Sequence, residues 1–295
     1  MPAPKPLPEI ATQPLSVVLL ARNAAGHVEA TLQAWLAYLD ARGQAYELLV
    51  SDDGSSDGTA ELAEAVAAKR PAVRLLRQSG PRGEGAALRT AIAEAKNPLL
   101  FVSLLRPEYR PEHLGLLLDR PATEPMKGKE IDNCHLIGCY RAGVPMPAGL
   151  RALGFLWRLF CRVVFSYAPA LLPGWLGWRR HAGWLLSRIL FALRYHDVAC
   201  PVRLMRREMF ARIPIQSDSS FAHVEVLAKA NFLEKYMAEE VPLDVVPPPY
   251  AGDWPLMWRD GKKLFRHPDF GPAHMELTVR PPATAPHDTP PPTPS

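Results

Sequence analysis

The stretch Leu48–Gly58, LLVSDDGSSDG, decides the fold. An apolar run (Leu48, Leu49, Val50) stops at two carboxylates, Asp52 and Asp53, and then at small turn-forming residues. Such a run bounded by Gly and Ser punctuation predicts a buried strand leading into a turn. Carboxylates at the carboxyl end of a strand sit where open α/β sheets bind ligands. Gly58–Arg70 then follows a helical pattern: Asp57 is placed to cap it, and Leu62, Ala63 and Val66 share one face. On its own an acidic, glycine-containing turn can equally be a plain strand-to-helix connection, so its neighbours matter.

Outward from that stretch the pattern repeats. Leu15–Leu20 predicts a first strand, apolar throughout as a strand covered on both faces should be. Gly26–Leu39 predicts a helix with Val28, Leu32, Trp35, Leu36 and Leu39 on one face. Tyr46–Val50 is the second strand and Val73–Leu76 the third. Gly80–Gly85 is a glycine-rich turn opening a helix over Ala86–Ala95, and Leu99–Leu105 is the fourth strand. This β-α-β-α-β-α-β alternation implies right-handed crossovers and a mainly parallel sheet. The glycine pair Gly83 and Gly85 follows the third strand rather than the first and lacks a third glycine, which excludes a dinucleotide fingerprint.

Composition bounds the remainder. The 295 residues suffice for one large α/β domain, and 48% are hydrophobic, ample for a core. The net charge of +4 is too mild to argue for nucleic acid as a partner. Four cysteines, Cys134, Cys139, Cys161 and Cys200, form no CxxC pair and read as reduced thiols of a cytoplasmic protein rather than a zinc site. The start reads as a proline-rich tail, not a signal peptide, and no run is long enough for a confident membrane span. The expected division is a tail over 1–13, one domain over 14–250, an extension over 251–280 and a proline-rich tail over 281–295.

Leu15–Asn23, Ser51–Thr59, Gly80–Ala87 and Leu99–Pro111 together resemble family 2 glycosyltransferases in order and spacing. The resemblance is strongest to the dolichyl- or polyprenyl-phosphate sugar transferases. It resumes at His135–Arg141, Asp197–Phe210 and Phe221–Lys229. It implies a GT-A fold: a nucleotide-binding α/β sheet, mostly parallel with helices on both faces, joined to an acceptor-binding half. Carried over by position, it assigns Ala21, Arg22 and Asn23 to the loop beside the nucleotide, Asp53 or Asp52 to reading the base, and Arg82 to the base and phosphates. A carboxylate suits a base because it accepts a ring N–H. Asp197 and Arg203 match a segment lining the acceptor side, and Glu225 an acidic position in the next helix.

Several residues depart from that family's pattern. Ala24 replaces an acid, Glu84 a lysine, and Cys200-Pro201-Val202 a Ser-Gly-Phe segment. The D-x-D motif that would hold Mg2+ or Mn2+ at the end of the fourth strand is missing: the chain reads Ser103-Leu104-Leu105-Arg106-Pro107-Glu108-Tyr109. Departure of a nucleoside diphosphate needs positive charge, ordinarily a metal ion. Arginine can supply it directly, so Arg106, with Arg82, is the expected substitute and no metal ligand is assigned. The rival expectation is a degenerate homologue that binds nucleotide or lipid without turnover; a third is a soluble transferase acting on a glycan or protein. A phosphate acceptor is already ionised and needs no general base, which leaves Asp197 as a catalytic candidate or a structural partner and favours the structural role for Glu225.

The second half adds Gly149–Tyr167, with Arg151, Arg158 and Arg162 on one helical stripe beside leucine, tryptophan and phenylalanine. Arg179–Arg194 is similar, and Pro169–Trp178 between them reads as a turn. Residues 148–195 are therefore expected either to lie on an anionic membrane surface, at the inner face of the cytoplasmic membrane, or to pack on the sheet with their arginines in solvent. Val198–Phe210 reads as a strand followed by a basic helix, with Arg203 and Arg206 as a candidate acceptor-phosphate patch. Expected partners are thus a nucleoside-diphosphate sugar, a lipid phosphate and a membrane surface, with no nucleic acid. Ala251–Phe270 is left either as a lid on the acceptor site or as surface packing.

Overall fold

A computed structural model describes residues 12–118, 136–142, 148–165, 174–233, 238–245 and 254–271. Residues 1–11 of the expected tail over 1–13, the expected tail over 281–295 and the start of the Pro169–Trp178 turn lie outside these residues.

Strands β1 (Leu15–Ala21), β2 (Tyr46–Asp52), β3 (Val73–Arg77) and β4 (Leu99–Leu104) are joined by helices α1 (Val28–Arg42), α2 (Thr59–Ala67) and α3 (Glu84–Glu94). The short helix α4 (Glu112–Leu118), β5 (Leu136–Ala142), α5 (Ala148–Phe165) and α6 (Gly174–Phe191) follow. The chain then passes through β6 (Arg203–Arg206), a 3-10 turn over Arg207–Ala211, α7 (Ala222–Leu233), β7 (Ala238–Asp244) and α8 (Trp254–Arg266). One seven-stranded sheet has the order β3-β2-β1-β4-β6-β5-β7. It is parallel except for β6, which runs antiparallel to both β4 and β5.

Because side chains alternate across a strand, each apolar run feeds two cores. Leu15, Val17 and Leu19 of β1 join Trp35 of α1 and Phe101 of β4 on one face. Val18 and Leu20 join Ala87 and Ala91 of α3 and Val226 of α7 on the other. Trp35 is fully buried and meets Phe101 with ring centroids 5.4 Å apart. Helix α1 stops at Gly43, whose left-handed φ of 67° suits the residue after a helix.

Two details of topology place the site. The strand order turns back between β1 and β4, the position where open α/β sheets form a ligand crevice. In register, Leu20 pairs with both Ser51 and Leu104, so β1, β2 and β4 end level at that crevice. Antiparallel β6 starts at the same edge, with Arg203 opposite Val102, and finishes at the far edge, with Arg206 opposite Leu99.

The structure corrects two local expectations. Arg203–Arg206 is a strand, not the start of a basic helix, because its alternation buries Leu204 against one core and Met205 against the other. Gly174–Trp178 belongs to α6 rather than to a turn.

Candidate functional site

A cleft of about 950 Å3 opens at the carboxyl ends of β1 and β4. Three loops form its floor, and Asp53 ties them together. Asp53 is buried; its Oδ1 accepts the backbone N–H groups of Arg82 and Gly83, each at 2.8 Å, and its Oδ2 lies 3.3 Å from the Arg22 guanidinium. The carboxylate thus fixes the loop after β1 and the glycine-rich turn before α3 in one arrangement. Glycine is required at two of these turns. Gly54 has φ 64°, and an added Cβ would sit 2.3 Å from the Gly80 carbonyl carbon; Gly83 has φ 108°, and its Cβ would sit 2.3 Å from the Asp218 carbonyl oxygen.

The loops after β1 and β2 are also zipped edge to edge. Asn23 N–H donates to Ser55 Oγ and Ser56 N–H to Asn23 Oδ1; Ala24 N–H donates to Thr59 Oγ1 and Ala25 N–H to Asp57 Oδ2. Asp57 carries its proton at lower pH than usual, chiefly because the Thr59 hydroxyl donates to it. Asn23 itself adopts φ 48°, which asparagine tolerates.

Of the paired aspartates, Asp53 and not Asp52 faces the cleft. Asp52 is fully buried and closes its own turn by accepting the Ser55 N–H and hydroxyl, so it is not placed to read a base. Ala21, Arg22, Asn23 and Arg82 all line the cleft, and so does Arg106 from the loop after β4. Arg82 and Arg106 are exposed, and no carboxylate pairs with either among the described residues. The floor therefore presents three guanidinium groups, two of them uncommitted.

The opposite wall is built differently. Asp197 lines the cleft, but both its oxygens are spanned by Arg141, whose Nε and Nη2 donate at 2.5 and 2.7 Å. Both side chains are buried, and the pairing raises the Arg141 pKa well above its ordinary value against the cost of burial. A carboxylate so engaged is a poor proton acceptor. Beside it Tyr109 is buried, and burial pushes its hydroxyl up to about 12.

The proposed phosphate patch at Arg203 and Arg206 does not form. Arg203 is buried and donates to the His223 and Val198 carbonyls, acting as an internal brace. Arg206 lies at the far edge of the sheet, away from the cleft. Glu225 is fully buried, 2.7 Å from Lys229 Nζ, and holds Gln216 and Ser217; its role is structural.

Sequence reasoning missed two features. Glu84, at the position where the resembled family has lysine, lies 2.6 Å from His223 Nε2 on the cleft wall. Asp260 of α8 is buried and accepts the N–H groups of Asp218 and Ser219 and the Ser219 hydroxyl, which fastens α8 onto the loop supporting Gly83. The segment left as a lid or as surface packing meets the cleft: Trp254, Met257 and Trp258 of α8, with Trp184 and Leu186 of α6, give the outer cleft an apolar wall. The only local signal was the unmatched Glu84 itself; the partners lie far away in sequence.

The carboxylates lining this cleft do not suit a divalent cation. Asp53, Glu84 and Asp197 are each committed to other partners, and among the described residues no three His, Cys, Asp or Glu groups converge.

Residues 16–104 match the profile of glycosyl transferase family 2. A dolichyl-phosphate beta-glucosyltransferase of Trichomonas vaginalis is 32% identical over 90 residues, 29% of this chain and 27% of that protein, so the match spans about a quarter of the relative's length. The fold matches mannosyl-3-phosphoglycerate synthase from Rubrobacter xylanophilus with a TM-score of 0.58 at 15% identity, over 88% of this chain and 78% of the other. It also matches glucosyl-3-phosphoglycerate synthase from Mycobacterium tuberculosis, in complex with phosphoglyceric acid, with a TM-score of 0.53 at 17% identity, over 79% and 71%. The latter enzyme with Mn2+, UDP-glucose and phosphoglyceric acid gives 0.50 at 16% identity, over 82% and 78%. At these identities the likeness is one of fold, and that fold is GT-A.

Proposed function

We infer from the match of residues 16–104 to glycosyl transferase family 2, and from the GT-A fold, that the chain moves a sugar from a nucleoside diphosphate to a phosphate-bearing acceptor carried on a polyprenyl lipid. The observation that carries this reading is one shared cleft: Asp53 organises its floor, and Arg22, Arg82 and Arg106 line it. The base and ribose lie against the loops after β1 and β2, and the diphosphate runs towards Arg82 and Arg106. Acceptor phosphate oxygen attacks the sugar's anomeric carbon; the bond from that carbon to the β-phosphate oxygen breaks, and the nucleoside diphosphate leaves with the electron pair. Arg82 and Arg106 offset the charge that develops on it, each able to hold two oxygens at once. The acceptor phosphate is ionised at neutral pH, so no proton need be removed, consistent with the engaged state of Asp197.

The dolichyl-phosphate relative supports the lipid phosphate, and the UDP-glucose and phosphoglyceric acid complexes support a nucleotide sugar and a phosphate-bearing acceptor. A second reading, a homologue that binds nucleotide without turnover, is favoured by the Glu84–His223 pair standing where the family has lysine. Incubation with radiolabelled UDP- or GDP-sugars and polyprenyl phosphate, with and without EDTA, separates them. Label in the organic extract, surviving EDTA, is the expected result; nucleotide binding with no transfer would establish the second reading.

A further inference from the structure

Helix α5 leaves most of its apolar side chains in solvent. Phe155 is 65% exposed, Leu156 60%, Phe160 52% and Val163 75%, and among its described side chains only Cys161 is buried. At helical periodicity Cys161 and Trp157 face the domain, Phe155, Leu159 and Val163 point away, and Leu156, Phe160 and Val164 fill one flank; Arg158 and Arg162, both exposed, fill the other. Helix α6, whose His181 ring lies 6.2 Å from that of Trp157 in α5, also exposes Leu186, Ile189 and Leu190, and α8 exposes Trp258 and Phe265. An apolar area this large marks a docking surface. No helix among the described residues is long and apolar enough to cross a membrane.

We propose that this face seats the protein on an anionic lipid bilayer, so that the cleft receives its acceptor directly from the membrane. Charge decides the occupant. Between Asp132 and Asp197 the chain has no acidic residue, and every permanently charged side chain there is arginine. A second copy would bring like charges together, whereas phospholipid headgroups complement them and an apolar arc enters the acyl boundary. Position decides the consequence. Leu186 and Trp258 are at once exposed and part of the cleft lining, so exposed apolar side chains rim the cleft mouth. Lys262, also on the cleft and within 6.0 Å of the Trp258 ring, adds a cation at that rim. The purpose of the surface rests on the lipid-acceptor reading, but its test does not.

The full chain is floated with phosphatidylcholine vesicles with and without phosphatidylglycerol, alongside two double variants, Phe155→Ser with Val163→Ser and Arg158→Glu with Arg162→Glu. All four positions are exposed, so circular dichroism and melting should be unchanged. Flotation with the anionic vesicles, weakened roughly tenfold or more by each variant, is expected. Failure of the native chain to float, or flotation indifferent to both variants, would overturn the proposal. So would a concentration-dependent dimer dissociated by the serine variant, which would assign the face to a second copy. Transfer to detergent-dispersed polyprenyl phosphate, measured separately, distinguishes a failed docking surface from a failed assignment of acceptor.

Discussion

Replacing Arg141 by methionine leaves the Asp197 carboxylate buried beside the cleft with its bidentate partner gone. The two side chains are 4% and 7% exposed, and their donor–acceptor distances are 2.5 and 2.7 Å. Breaking a buried pair from one side costs about 3–5 kcal/mol, because the remaining charge has neither water nor partner. At about 2–4 °C per kcal/mol for a domain of this size, the melting temperature should fall by roughly 6–20 °C. Arg141→Met combined with Asp197→Leu removes both charges and should recover to within about 1–2 kcal/mol of the native chain. Read by urea unfolding, the double variant is therefore expected to be more stable than Arg141→Met alone by roughly 1–4 kcal/mol, the single-variant cost less the residual of the pair. A single-variant cost below about 1 kcal/mol would refute the reasoning. So would Asp197→Asn that melts normally yet abolishes transfer and removes one limb of its pH profile, since that behaviour belongs to a catalytic base.

Lys229→Met should cost about 3–5 kcal/mol by stranding the fully buried Glu225, and adding Glu225→Gln should recover part of it in the same unfolding assay. Gly83→Ala should cost about 1–3 kcal/mol from its backbone conformation alone, with more from the Asp218 carbonyl, and should weaken nucleotide binding in calorimetry. His113 is buried with neither ring nitrogen hydrogen-bonded among the described residues, and burial lowers its pKa below the ordinary 6.5. The unfolded chain then takes up this proton more readily than the native one, so stability is whole above that value and declines as the pH falls through it towards the lowered pKa. His113→Leu should remove that part of the acid sensitivity, visible as a flatter plot of melting temperature against pH below neutrality.

Much of the first half was legible because its signals are local. Leu15–Leu20 and Leu48–Val50 are unbroken apolar runs of strand length, and the turns after them announce themselves by Asp, Ser and Gly. The choice between Asp52 and Asp53 was not legible: adjacent residues point to opposite faces, and only the assembled loops show which carboxylate meets Arg22 and the Arg82 amide. Arg203 and Arg206 look like one basic patch in the sequence, yet a strand running antiparallel places one inside and the other at the wrong edge of the sheet. Arg141–Asp197 and Glu84–His223 join residues from separate elements, and no spacing rule links them. The apolar-basic helices were visible as such, but whether α5 is covered is a property of the packed domain.

The measurement that bears most directly on the central claim is the rate of sugar transfer in EDTA for the native chain and for Arg106→Ala. The native chain should keep its rate, while the variant loses about 10²–10³-fold, the usual consequence of removing one group that stabilises developing charge. Native transfer abolished by EDTA and restored by Mn2+, with Arg106→Ala indistinguishable from the native chain, would contradict it.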